Sequence, residues 1–219
     1  MDRMPQPLIV IAMCLAALAG FVDALAFTSL GGFFASFMSG NSTRLGVGLG
    51  GGGMGEAMTA LALVMSFVGG VIVASVIARA YGDNARTSTM VVVTALLTAA
   101  AVVATLLPGP LVLIFLAMAM GCENGVFNPG TGRDGEAGFG VTYLSGNLVR
   151  MAQKAANALM GDEDRWGWVP YLALWLGFIA GVVIGAASQF RWGWEALWAA
   201  PVAAAAVTVA LRRIRAPVA

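Results

Sequence analysis

FMSGNSTRL, at residues 37–45, returns as YLSGNLVRM at residues 143–151, and this doubling governs how the rest of the chain is read. Two more blocks match in the same order: GFVDA (20–24) with GCENG (121–125), and SFVGGVIVA (66–74) with GFIAGVVIG (177–185). The successive offsets are 101, 106 and 111 residues, which fits loop insertions in the second copy near 130–137 and 162–168. A single match of this kind is compositional noise in an Ala-, Gly- and Val-rich chain; three in one order are a repeat.

The 219 residues are 59% hydrophobic and 11% charged, against about 45–50% and roughly 25% in soluble domains. Mean hydropathy is +0.85. Apolar runs lie at approximately 8–30, 57–80, 88–107, 110–128, 167–188 and 194–211, each near the roughly 20 residues of helix that cross a hydrocarbon core. The runs are continuous rather than alternating, which selects helices over an outer-membrane barrel. The first run outlasts a signal-peptide core and is followed by five more, so it reads as a retained span. Two stretches, 31–49 and 138–160, are apolar at their ends and polar in the middle, and would strand polar groups in lipid if they crossed unshielded. The positive-inside rule decides against counting them as spans. With six spans and cytoplasmic termini, only Arg44 and Arg191 fall outside; with eight, Arg79, Arg86, Arg133 and Arg191 would all lie outside. The expected fold is therefore an all-α membrane protein, a single domain over 1–219. Its two three-span repeats, about 8–107 and 110–213, are inverted because each has an odd number of crossings, and each carries a broken or re-entrant SGN segment after its first span.

A net charge of +1 gives no electrostatic footprint for nucleic acid. The absence of histidine removes His-based metal sites, Ser-His and Cys-His pairs and imidazole relays. Cys14 and Cys122 sit in apolar runs and form no disulfide framework or metal knuckle. There is no P-loop, dinucleotide fingerprint or ligand cluster, so no cofactor is expected.

The polar residues inside the spans carry the functional expectations. Asp23 lies in the first span and Glu123 in the fourth, with Asn124 rather than Glu123 aligned with Asp23. A charged carboxylate at that depth costs several kcal/mol, so it pairs, is protonated, or faces a wet cavity. Arg44 and Arg150, each three residues after an SGN asparagine, are the partners for a fixed salt bridge; the alternative is a titrating or solute-facing carboxyl. In Ser39-Gly40-Asn41 and Ser145-Gly146-Asn147 the glycine invites a helix break and the asparagine caps the restart. Broken helices at membrane depth offer free backbone groups and dipole ends to a solute. Gly177, Gly181 and Gly185, like Ser66, Gly70 and Ala74, stand four apart and mark a face of close helix approach. The run GVGLGGGGMG (46–55) reads as a loosely wound exit from the first SGN segment.

With GxxDA in the first span, F-x-S-x-MSGN after it, G-x-x-N at Gly121 and a second SGN followed by arginine, the chain resembles the bacterial YoaK (DUF1275) membrane proteins over essentially its whole length. The resemblance implies six inner-membrane spans and no particular activity. Ser39 and Ser145 stand where that family usually has threonine, and 129–137 reads as a loop elaboration.

The expectation from the residues is a secondary transporter of a small polar solute, not an enzyme. Asp23, Ser39, Gly40, Asn41, Arg44, Glu123, Asn124, Ser145, Gly146, Asn147 and Arg150 would line its site, with Asp23 or Glu123 carrying a coupling proton. On that view Asp23→Asn abolishes gradient-driven flux. The alternatives are a facilitator with paired Asn-capped half-helices, an intramembrane enzyme using Ser39 or Ser145 with Lys154 as base, and a non-transport membrane partner. The expected partners are the bilayer, the solute and a second copy in a homodimer.

Overall fold

The computed structural model describes residues 6–127, 143–162 and 164–215. The insertion expected at 129–137 lies outside them. Among the described residues eight α-helices follow one another: α1 (Gln6–Ser29), α2 (Met38–Gly51), α3 (Met54–Tyr81), α4 (Ala85–Leu106), α5 (Pro110–Asn124), α6 (Leu144–Leu159), α7 (Val169–Trp192) and α8 (Ala199–Arg215). No strand occurs among the described residues. Three helical stretches, Gln6–Ser29, Met54–Leu106 and Val169–Ile214, are long and apolar enough to cross a membrane, and α5 is a shorter apolar helix.

At about 1.5 Å per residue the 53 residues of Met54–Leu106 would run far past any bilayer if straight. They do not, because Gly82 takes φ 47°, where a Cβ is penalised, and a 3-10 turn at Gly82–Asn84 folds α4 back onto α3. Gly193, at φ 58°, opens the 3-10 turn Gly193–Trp198 that leads from α7 into α8, which packs on α4 and α1. Gly82 and Gly193 differ by the same 111 residues as the third matched block. Pro110 and Pro170 open α5 and α7, where a missing N–H and a preset φ cost nothing.

In α1, 67% of the most apolar window is buried, against 22% in each of the other long stretches. Met58, Leu61, Met65, Val68, Ile72 and Val76 form an exposed apolar stripe along α3, which water would not tolerate and acyl chains would. The core joins α1 and α5 to the inner faces of α4, α7 and α8 through Leu15, Val22, Leu25, Leu97, Leu116, Met120 and Leu174.

Most of the helix packing survives exchange of the first four helices for the last four, the exception being that α3 packs on α4 whereas α7 and α8 do not pack on each other. The most extensive contacts are α1 with α7 and α3 with α5, and α2 on α3 is matched by α6 on α7. The correspondence reaches single atoms. A Cβ on Gly20 would strike the Phe178 carbonyl, and one on Gly121 the Phe67 carbonyl; one on Gly181 would strike the Ala17 carbonyl, and one on Gly70 that of Met118. Every pair is its counterpart shifted by the repeat offsets. The small-residue faces read from sequence thus join the two halves of one chain, with backbone against backbone.

One expectation fails here. The 46–55 run is no loose exit: α2 stays helical to Gly51, and only Gly52, at φ 80°, breaks it. Gly48 lies against the Gly53 carbonyl and Ala57, so glycine there serves a close α2–α3 approach.

Candidate functional site

After α1 ends at Ser29 the chain turns through Gly31 and Gly32, both at positive φ, and doubles back beside its own helix. Asp23, one and a half turns before that end, holds the returning loop. The Ala35 and Ser36 amides donate to Asp23 Oδ1 at 2.8 and 2.7 Å, and the Ser36 hydroxyl donates to Oδ2 at 2.6 Å. Asp23 is 4% exposed and Ser36 6%. Neither Arg44 nor Arg150 supplies the partner expected from sequence; main-chain N–H groups of a non-helical loop take that role, since they need an acceptor wherever water is excluded.

Asn41 fixes the same loop from the other side. The Phe34 N–H donates to Asn41 Oδ1 at 3.1 Å, and Asn41 Nδ2 donates to the Phe34 carbonyl at 2.7 Å, so one amide side chain satisfies both main-chain groups of a residue that has no strand neighbour. The capping role expected for Asn41 is therefore not the one it plays. The helix already starts at Met38, Phe37 holds the cap position without a side-chain bond, and SGN lies in the first turn and a half. The second motif sits identically in α6, which starts at Leu144. Gly40 and Gly146 are not breaks either: a Cβ on Gly40 would meet the Phe37 and Phe34 rings, and one on Gly146 the Tyr143 ring. In both motifs an aromatic ring three residues earlier folds over the glycine.

Arg44 is held by three contacts. Its Nη1 donates to the Gly32 carbonyl at 3.1 Å, its guanidinium carbon lies 4.2 Å from the Phe33 ring centroid, and Nη2 is 3.6 Å from Glu56 Oε2. That answers what keeps a cation near a helix start despite the macrodipole. Arg150, its counterpart, is exposed on α6, as are Ser39 and Ser145.

Glu123 and Asn147 are the other buried residues of the expected site, at 0% and 3% exposure. Both Glu123 carboxyl oxygens and Asn147 Nδ2 lack hydrogen-bond partners. α1 and α5, which carry Asp23 and Glu123, touch each other. Asn124 donates from Nδ2 to the Met120 carbonyl at 3.1 Å. Asp23, Asn41, Glu123 and Asn147 thus face inward, while Ser39, Ser145 and Arg150 do not. No group of three His, Cys, Asp or Glu side chains able to hold a metal occurs among the described residues.

Beside Asp23 an open cavity of about 530 Å³ runs between α1, α7 and the starts of α2 and α6. Phe27, Phe34, Phe37, Leu144, Phe178 and Val182 line it. Phe34 packs edge-on against Phe37 and tilted against Phe27, both at 5.2 Å between centroids. Sequence reasoning missed Ser36 and this aromatic wall. The F-x-S-x-M stretch contains Phe34 and Ser36, and the Gly31-Gly32 pair just before it signals a reversal that would bring both back to α1.

A family model described as "Protein of unknown function (DUF1275)" matches residues 11–210. A curated relative, a UPF0700 transmembrane protein of Rhizobium meliloti (strain 1021), is 31% identical over 199 residues, covering 90% of this chain and 83% of the relative. No solved structure matches the chain. The matched region runs from the second turn of α1 to the last turns of α8 and takes in both SGN helices, the Asp23 loop anchor and the paired glycine crossings; the chain belongs to the DUF1275 family of transmembrane proteins.

Proposed function

We propose that the protein is a six-span secondary transporter of the bacterial inner membrane, built from two inverted repeats with both termini cytoplasmic. The observation that carries this is the doubled crossing, in which Gly20 on Phe178 and Ala17 on Gly181 recur as Gly121 on Phe67 and Met118 on Gly70. Two halves with an odd number of crossings, packed through equivalent faces, form the architecture in which a central site is reached alternately from either side. The turns at Gly82 and Gly193 divide the long stretches into α3 with α4 and α7 with α8, which with α1 and α5 would be the six spans. The loop pinned to Asp23 supports a site inside the bilayer, because non-helical backbone is tolerated there only where protein or a cavity shields it.

The cavity lining bears on the solute. The SGN motifs alone point to a polar molecule, but a wall of four phenylalanines fits a small solute with an apolar or aromatic body. In a thermal-shift screen of purified protein against metabolites, compounds of that kind are expected to raise the melting temperature by mass action. In proteoliposomes the same compounds should show uptake that is stimulated by unlabelled solute on the far side. Stabilisation by none of them, or flux without trans-stimulation, would remove the carrier assignment.

Topology gives a separate test. Reporter fusions at Gly52 and Gly161, which end equivalent SGN helices and take φ 80° and 97°, should report the external and cytoplasmic sides respectively. Fusions reporting the same side would end the inverted arrangement.

A further inference from the structure

We propose that Glu123 is the membrane-embedded proton-binding site of this protein, while Asp23 is a fixed structural anchor. As a coupling site this rests on the transport function proposed above; as a proton site it stands without it.

The two buried carboxyls differ in what surrounds them. Asp23 accepts from two amides and one hydroxyl. Glu123 accepts from nothing: it is 0% exposed and neither oxygen has a partner. An uncompensated carboxylate in that position is far more costly than one held by donors, and a single bound proton removes the charge without needing a coordination shell. A metal ion would need several further ligands, and no group of three His, Cys, Asp or Glu side chains that could hold one occurs among the described residues.

The neighbours leave that role open. In α1 the only charged residue is Asp23, which offers Glu123 no cation. In α3 the charged residues, Glu56 and Arg79, lie near the two ends, and at this level the helix presents Gly70, whose carbonyl accepts from the Cys122 thiol at 3.2 Å. In α4 the only charged residue is Arg86, whose guanidinium carbon sits 5.6 Å from the Phe127 ring centroid. Release is a plain deprotonation: the carboxyl O–H bond breaks, the electron pair stays on Glu123, and the proton passes to water entering from one side.

Infrared spectroscopy of the full-length protein in lipid tests this, with the proton as the probe. The wild type should show the carbonyl band of a protonated carboxyl that fades as bath pH is raised and returns when it is lowered. D23N should keep the reversible band, whereas E123Q and E123M, both neutral and of similar size, should lose it entirely and melt no lower than the wild type. A band that persists in E123Q, one that ignores bath pH in the wild type, or the failure of both Glu123 variants to fold would each overturn the proposal. If the reversible band depends on Glu123 but a proton gradient leaves wild-type solute flux unchanged, the proton site stands and the coupling falls, so the two failures are told apart.

Discussion

Gly181→Leu should leave no folded protein in the membrane, and Gly70→Leu should do the same. At Gly181 the first side-chain carbon would occupy the place of the Ala17 carbonyl, and at Gly70 that of Met118, so the obstacle is main chain that cannot rotate out of the way. The helices would have to separate along the whole α1–α7 or α3–α5 seam, the two most extensive in the molecule. In lipid no hydrophobic drive compensates for a lost close approach, because acyl chains are as apolar as leucine. Overpacking a core costs about 1–3 kcal/mol when side chains can yield, and more when backbone must move. Gly181→Ala should therefore lose about 3 kcal/mol, and the leucine variant should exceed the total stability available to a domain this size. Gly69→Leu is the control: it neighbours Gly70, but nothing lies within 4 Å of the position its Cβ would take. Thermal unfolding in detergent and monodispersity on size exclusion read the difference. A Gly181→Leu protein that melts with the wild type would show that the two halves do not meet through these glycines.

The parts of this architecture legible in the sequence are those encoded locally. Helix positions follow from apolar length, and the run expected at 57–80 became Met54–Tyr81, that at 88–107 Ala85–Leu106. The repeat was legible because self-similarity survives without knowledge of contacts, and Gly177, Gly181 and Gly185 pointed correctly to close approach, though not to which helix approaches. What stayed hidden depends on residues meeting from afar. Nothing in the spacing of Asp23 says that Ala35 and Ser36 will bring their amides to it, because a loop that doubles back has no periodicity. Arg44 looked like the natural counterion, yet the Gly32 carbonyl and the Phe33 ring already hold it. Gly40 and Gly146 read as helix breaks by propensity, but the Phe37 and Tyr143 rings that overlie them from three residues earlier explain them, and propensity says nothing of where a ring is turned. The contrast between a satisfied Asp23 and an unsatisfied Glu123 was equally unreadable, since both are lone carboxyls in apolar runs.

Asp23→Ala should release the returning loop and, for the proposed transporter, abolish solute flux, whereas Asp23→Asn should keep most of both. Alanine removes the acceptor of three donors at once, leaving the Ala35 and Ser36 amides and the Ser36 hydroxyl without a partner. Hydrogen bonds to a charged group contribute about 1.5–3 kcal/mol each, and breaking a buried charged network from one side typically costs about 3–5 kcal/mol. A loss of about 4 kcal/mol is expected. Asparagine retains an oxygen for both amides at the Oδ1 position, and its NH₂ group would face Ser36 Oγ, which accepts as readily as it donates. Its cost should be about 1 kcal/mol. The same loop is gripped independently by Asn41 through both main-chain groups of Phe34, so Asn41→Ala should cost about 2 kcal/mol, one for each neutral hydrogen bond lost. The two grips act on adjacent residues of one segment, and once either is gone the other holds a loop already partly released. The Asp23→Ala, Asn41→Ala double variant should therefore lose less than the sum of the singles, by roughly 1 kcal/mol or more. Amide hydrogen exchange locates the effect: protection at Phe34, Ala35 and Ser36 should fall in Asp23→Ala while α4 and α8 keep theirs. Protection unchanged at those three amides, or equal destabilisation by alanine and asparagine, would mean that the carboxyl does not anchor this loop and that its burial beside the aromatic cavity has another cause.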